Sequence, residues 1–166
     1  GGIYLLGQLA EGSIEIGTVL DVLSAFIREK HLKVGVKKGE SEETSSDDNS
    51  ETVQELATDV KAAFTVIWKI TGGAGFIDLT NTDFHRKALY SVSLSNADLR
   101  NASFVKADLR FTNFIKADLR NANLLEADLS HADLRFTLLS KANLSNTIML
   151  GSDFRHCPSI AATQFT

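Results

Sequence analysis

The residues of this 166-residue chain best equipped for chemistry are four histidines and one cysteine. His31, His85, His131 and His156 include no pair at metal-ligand spacing, so neither a zinc site nor any other metal is expected. His156 and Cys157 are the one thiol–imidazole neighbour pair. Adjacent side chains rarely present a base to a nucleophile, and no third group orients this imidazole, so nucleophilic catalysis is not expected. Gly72-Gly73-Ala74-Gly75 lacks the following Gly-Lys-Ser/Thr of a phosphate loop. These residues point to a protein without a catalytic site and without a cofactor. A lone cysteine also forms no intrachain disulfide, which fits a reducing, cytoplasmic setting.

The elements that carry these residues divide the chain in two. Residues 1–78 hold 13 acids against 7 bases, and residues 79–166 hold 8 against 10. Neither half has the dense positive charge from which nucleic-acid binders draw their affinity, so no nucleic-acid partner is expected. No apolar run reaches the roughly 18 residues of a membrane-spanning helix. The chain opens Gly1-Gly2-Ile3 within an apolar pattern, which suggests a piece of a longer protein, membrane-tethered if the longer chain carries an anchor.

In the first half, Ile3, Leu5, Leu6, Leu9 and Ala10 predict a short helix stopping near Gly12. Val19, Leu20, Leu23, Phe26 and Ile27 trace one face of a second helix over 17–31. Residues 1–34 are therefore a two-helix segment. The stretch 35–51, GVKKGESEETSSDDNSE, has too little apolar surface to offset the entropy of ordering and is a flexible acidic linker. Thr52-Val53-Gln54-Glu55 has the form of a capping box, with Thr58-Asp59 as a rival helix start. Val53, Leu56, Val60, Phe64, Ile67 and Trp68 would then line one face of a third helix ending before Gly72, with a Gly-rich connection closing the 52–78 segment.

The second half has one dominant regularity. Leu79, Phe84, Leu89, Leu94, Leu99, Phe104, Leu109, Phe114, Leu119, Leu124, Leu129, Leu134, Leu139, Leu144, Met149 and Phe154 recur every five residues without exception. A small residue stands two positions earlier, as in Ala97, Ala107, Thr112, Ala117 and Ala127, and Asp or Asn usually lies between. A period of five fits neither a helix nor a long strand. It fits a three-residue extended piece, whose first and third side chains point inward together, followed by a two-residue turn. A chain that keeps turning with one side inward becomes a coil, and stacked coils pair one another's backbone.

The unit Ala-Asp/Asn-Leu-x-x resembles the pentapeptide-repeat family over about 76 residues. The resemblance implies a mainly β fold: a right-handed, four-sided β-helix over 79–156 of about four coils, capped by the N-terminal helices. The preceding helices are similar to the helical region before the repeats in larger bacterial members. Residues 157–166 would be a tail folding back over the last coil, beyond Leu138 and Ile148, which stand at solvent-facing positions. Lys87 occupies an inward small-residue position, where a buried ammonium is costly; a bulge turning Ala88 and Tyr90 inward is one escape.

Stacking at twenty-residue intervals brings Asn81, Asn101 and Asn121 into a column and sets Arg100 over Arg120 beside Asp98 and Asp118, a structural ladder and a solvated ion-pair face. Val105, Leu125, Ile115, Phe111 and Phe136 fall at outward positions and are candidates for a partner surface. The sequence thus points to a non-enzymatic scaffold or adaptor meeting a protein partner through a flat solenoid side. Self-association through a solenoid end or apolar side is a further option. The alternatives are a DNA-mimicking topoisomerase regulator, which the slightly basic repeat half disfavours, and a sensor or adaptor domain of a membrane-anchored protein.

Overall fold

The structure is a computed structural model that describes residues 15–31, 52–73 and 75–158. The predicted first helix, the linker and residues 159–166 lie outside the described residues. From 77 onward the chain is a repeat β-helix. Each repeat is one extended piece and one turn, and every isolated bridge joins residues twenty apart in parallel, from Asp78 with Asp98 to Asp133 with Asp153.

The turn explains how five residues suffice. In each repeat the amide three residues beyond the large apolar residue donates back to that residue's carbonyl, as from Ala107 to Phe104 at 3.0 Å and Ala122 to Leu119 at 3.0 Å. The residue just before that amide has φ between 54° and 63° in fifteen non-glycine cases, from Asn81 to His156, and 70° at Gly151. A positive φ confined to the third of four residues is the type II turn signature. Lys116, Glu126 and Phe136 lack glycine's freedom there and are held in the left-handed region by the paired coils on either side.

Between coils the ladder is regular. Leu109 donates to Asp128 at 2.8 Å, and Asp128 donates to Ala107 at 3.0 Å. Inside, Leu79, Phe84, Leu99, Phe104, Leu109, Phe114, Leu119, Leu124, Leu129 and Leu134 are fully buried, and Leu144 nearly so. Phe84 stacks on Phe104 with centroids 5.3 Å apart, and Phe104 meets Phe114 edge-on at 6.2 Å. Phe154, expected in the core, is only partly buried, because among the described residues no coil lies above it. Cys157 takes the small inward position of one more repeat, with its amide donating to Phe154 at 3.2 Å, so it belongs to the solenoid rather than opening the tail.

The N-terminal end is covered. Helix α1, Ile16–His31, buries Val19, Leu20, Leu23 and Ile27, while Phe26 is half-buried. Helix α2, Thr58–Thr71, buries Val60, Ala63, Phe64, Val66 and Ile67 and ends at Gly72, whose φ of 61° gives the left-handed cap. Both faces join the solenoid interior in one continuous core, and Arg28 on α1 pairs with Asp78 at the start of the first coil.

Three sequence expectations are corrected here. Thr52–Glu55 is not a capping box. Gln54–Glu55 is strand β1, paired in parallel with strand β2, Lys87–Ala88, and α2 starts only at Thr58 behind Ala57, which makes no side-chain cap. The open coil edge offers this segment backbone partners, which outweighs a single capped helix end. Val53 and Trp68, expected on the buried face, are 45% and 59% exposed. Finally, Tyr90 does not turn inward: it is exposed, and Lys87 escapes burial by extending its ammonium to the Gln54 side-chain oxygen at 2.6 Å.

Candidate interaction surface

The Asp or Asn between the two inward residues does more than face solvent. Its side-chain oxygen accepts the amide two residues on, as in Ile115 to Asn113 at 2.9 Å and Ser130 to Asp128 at 2.9 Å, which fixes the turn that follows. Where Arg follows the central Leu or Phe, the guanidinium folds back on the same carboxylate. The Nη2 atom lies 2.6 Å from Asp98 in Arg100, 2.7 Å from Asp108 in Arg110, and 2.7 Å from Asp133 in Arg135. Arg120 with Asp118, and Arg155 with Asp153, repeat the arrangement. Longer contacts run to the next coil, from Arg100 to Asp118 at 3.9 Å and Arg135 to Asp153 at 3.8 Å. The arginine forks hold the carboxyls of Asp108 and Asp133 below their usual range and bring Asp153 down to about 2. Asp98, Asp108, Asp118, Asp133 and Asp153 are thereby neutralised in place.

The five sequence-predicted surface residues do not form one patch. Phe111 and Phe136 are exposed, at 58% and 47%, while Ile115, Val105 and Leu125 are half-buried. Phe111 and Ile115 flank the same extended piece, 112–114, and Phe136 follows the piece stacked on it, 132–134. These three border one face. Val105 and Leu125 lie a full extended piece away, beyond Asp108 and Asp128, and form a separate row.

Two imidazoles complete the first group. His131 stacks on Phe111 with centroids 5.0 Å apart and planes 11° apart, and His156 stacks on Phe136 at 4.8 Å and 10°. Each histidine follows its phenylalanine by twenty residues, so stacking arithmetic would have paired them; spacing within a single repeat hides it. The face therefore carries an aromatic–imidazole stack on each border, with Asn113, Asp133 and Asp153 along its middle. Within the column of asparagines Asn101 donates its amide to Asn81 at 3.3 Å, and Asn143 donates to Asn123 at 3.1 Å in another row.

The thiol and its neighbour point apart. Cys157 aims its sulfur inward, 2.8 Å from the Leu134 carbonyl, while the ring of His156 lies outside on Phe136. Burial raises the thiol's pKa, opposite to what a nucleophile needs. Thr112 and Thr137 use the same inward position to donate to Leu89 and Phe114, each at 2.8 Å. Among the described residues no three His, Cys, Asp or Glu side chains group as metal ligands, and no helix is long and apolar enough to cross a membrane.

A family model described as pentapeptide repeats matches residues 89–125 and 122–157, in 8 copies. Among solved structures, alr5209, a pentapeptide repeat protein of Nostoc PCC 7120, is 34% identical over 54% of this chain and 73% of its own, with TM-score 0.48. HetL, from the same cyanobacterium and involved in heterocyst differentiation regulation, is 31% identical with TM-score 0.37; the match covers 49% of this chain but 35% of HetL. AT2G44920, of the Arabidopsis thaliana thylakoid lumen, is 29% identical over 58% of this chain and 74% of its own, with TM-score 0.35. No curated protein matches the chain.

Proposed function

The chain belongs to the pentapeptide-repeat family, and we propose that within it this protein is a non-enzymatic adaptor that holds a protein partner on one face of its solenoid. The observation that carries this is the pair of aromatic–imidazole stacks, Phe111 with His131 and Phe136 with His156, standing exposed on either border of one face. Exposed aromatics with Ile115 between them supply the rigid apolar area that binding surfaces concentrate. Val105 and Leu125 form a second, weaker candidate row. The finer geometry belongs to the same reading. Turns every five residues and stacking every twenty support a four-sided coil, right-handed as in the family, about four coils tall over 79–156, with the N-terminal helices as its cap.

A DNA-mimicking role draws no support from the charges, since Asp98, Asp108, Asp118, Asp133 and Asp153 each pair with the arginine two residues on. A tethered sensor module and a cytoplasmic location remain readings of the sequence alone. The test is affinity capture from the native host with three full-length baits: the wild type, Phe111→Lys with Phe136→Lys, and Val105→Lys with Leu125→Lys. Circular dichroism checks that each is folded. The proposal expects a partner retained by wild type to fall at least tenfold with the phenylalanine pair. Unchanged capture by that pair, with loss in the valine–leucine pair, moves the partner to the other row; no change in either removes both.

A further inference from the structure

A groove of about 380 Å³ runs between α2 and the first coil, at the N-terminal end of the solenoid side whose later coils carry the aromatic borders. Leu56, Phe64 and Val92 form its floor, and the exposed rings of Trp68 and Tyr90 stand at its sides. At the rim Lys61 pairs with Glu55, so the local charge is already balanced.

Among the described residues the coil wall of this groove presents backbone groups without backbone partners. In the second coil, Asn113 donates to Val92 at 3.0 Å and accepts from Leu94 at 2.7 Å, and the Arg110 carbonyl accepts from Ser91 at 2.9 Å. The equivalent groups of the first coil are the Ser93 amide, the Ser93 carbonyl and the Tyr90 carbonyl. None of them has a backbone partner among the described residues. One repeat earlier the same edge is occupied by this chain: β1 lies on β2, with Gln54 paired to Lys87 and Glu55 to Ala88. After Glu55 the chain turns into α2, and the Tyr90–Ser93 edge lines the groove, with Gly73 beside its Ser93 end.

We propose that this groove takes an extended, uncharged segment of a partner polypeptide, added as a strand to the Tyr90–Ser93 edge in continuation of β1. The exposed backbone groups bind the segment's main chain, and an aliphatic or aromatic side chain settles between Trp68 and Tyr90 onto Leu56, Phe64 and Val92. Strand addition to an open edge, with pockets for alternate side chains, is an established way of recognising peptides. The occupant is uncharged because the rim pair leaves no net charge to complement, and it carries apolar residues at alternate positions because one face of a strand meets the floor.

Trp68 is the chain's single tryptophan, so its fluorescence reports this site alone. Full-length protein is used to select from a displayed library of random linear heptapeptides, and the winner is resynthesised with alternate backbone amides methylated. The expected result is enrichment of peptides with apolar residues at alternate positions and a saturable Trp68 shift. Binding should weaken at least tenfold on backbone methylation, and likewise in Ser93→Pro, which removes the edge amide but leaves the groove. Tyr90→Ala, at an exposed position, keeps the test informative if the proline variant melts early in circular dichroism. Failure to enrich any peptide, or binding indifferent to methylation, overturns strand addition. Displacement by a peptide copying residues 1–14 makes the occupant a segment of this chain. A dimer in sedimentation equilibrium that Tyr90→Ala abolishes makes it a second copy. Each of these last two outcomes overturns the partner reading.

Discussion

Replacing Leu119 by Ala tests how the coils bear load. Leu119 is fully buried in a row between Leu99 and Leu139, which are fully buried too. Its amide donates to the Leu138 carbonyl above at 2.8 Å, and Leu99 donates to Asp118 from below at 2.8 Å. The backbone ladder on both sides thus holds the neighbouring side chains at fixed height, and the void left by the lost atoms cannot close. Three missing carbons at about 0.8 kcal/mol each cost roughly 2.4 kcal/mol in transfer. A residual cavity of roughly 60 Å³ at about 24 cal/mol per Å³ adds about 1.5 kcal/mol, for a total near 4 kcal/mol. Met149, in the last coil and only partly buried, should lose about 1 kcal/mol on the same truncation. Urea unfolding followed by far-ultraviolet circular dichroism measures both. Because each coil contacts only its neighbours, the Leu119 variant should also show a broadened transition. Equal losses at the two positions, or a Leu119 loss under about 1 kcal/mol, would refute the argument that the ladder prevents relaxation.

At Lys116, where φ is 60°, Lys116→Gly should leave stability unchanged or raise it by up to about 1 kcal/mol, since relief of left-handed strain offsets added unfolded-state entropy. Lys116→Val should lower it, and thermal melts that reverse this order would mean the turn is not strained. Acid should destabilise the solenoid: the carboxyls of Asp108, Asp133 and Asp153 are depressed by their arginines, so their contribution is complete above the ordinary carboxylate range. It is lost as pH falls through the lowered values, Asp153 last near 2. Unfolding midpoints should be flat from pH 7 to 5 and drop below 4, and a drop that Asp108→Asn with Asp133→Asn does not reduce would assign the acid response to other groups. Cys157 should react with a thiol reagent at pH 7 far more slowly than a free cysteine, because burial raises its pKa; reaction at the free rate would mean that the thiol does not sit inside the coil.

The solenoid was legible because its signal is redundant: sixteen apolar residues at one spacing outvote any local irregularity. The turn type was not, because Lys116, Glu126 and Phe136 carry no preference for a positive φ, and the conformation is imposed by the hydrogen bonds of the coils they join. The capping-box reading of Thr52–Glu55 failed for a related reason. A local pattern competes with whatever the fold offers, and here an open coil edge offered Gln54 and Glu55 a strand. The surface residues divide along the same line. Phe111 and Phe136 could be named from a five-residue period, but their pairing with His131 and His156 exists only at an interval of twenty. Val105 and Leu125, which also stand twenty apart, separate onto another side by the same interval. A five-residue period states which side chains face out; the stacking interval states which of them meet. Recognition depends on the second, and on how far each side chain stands out, which only the packed coils give: Phe111 and Phe136 are exposed, while Val105, Ile115 and Leu125 are half-buried.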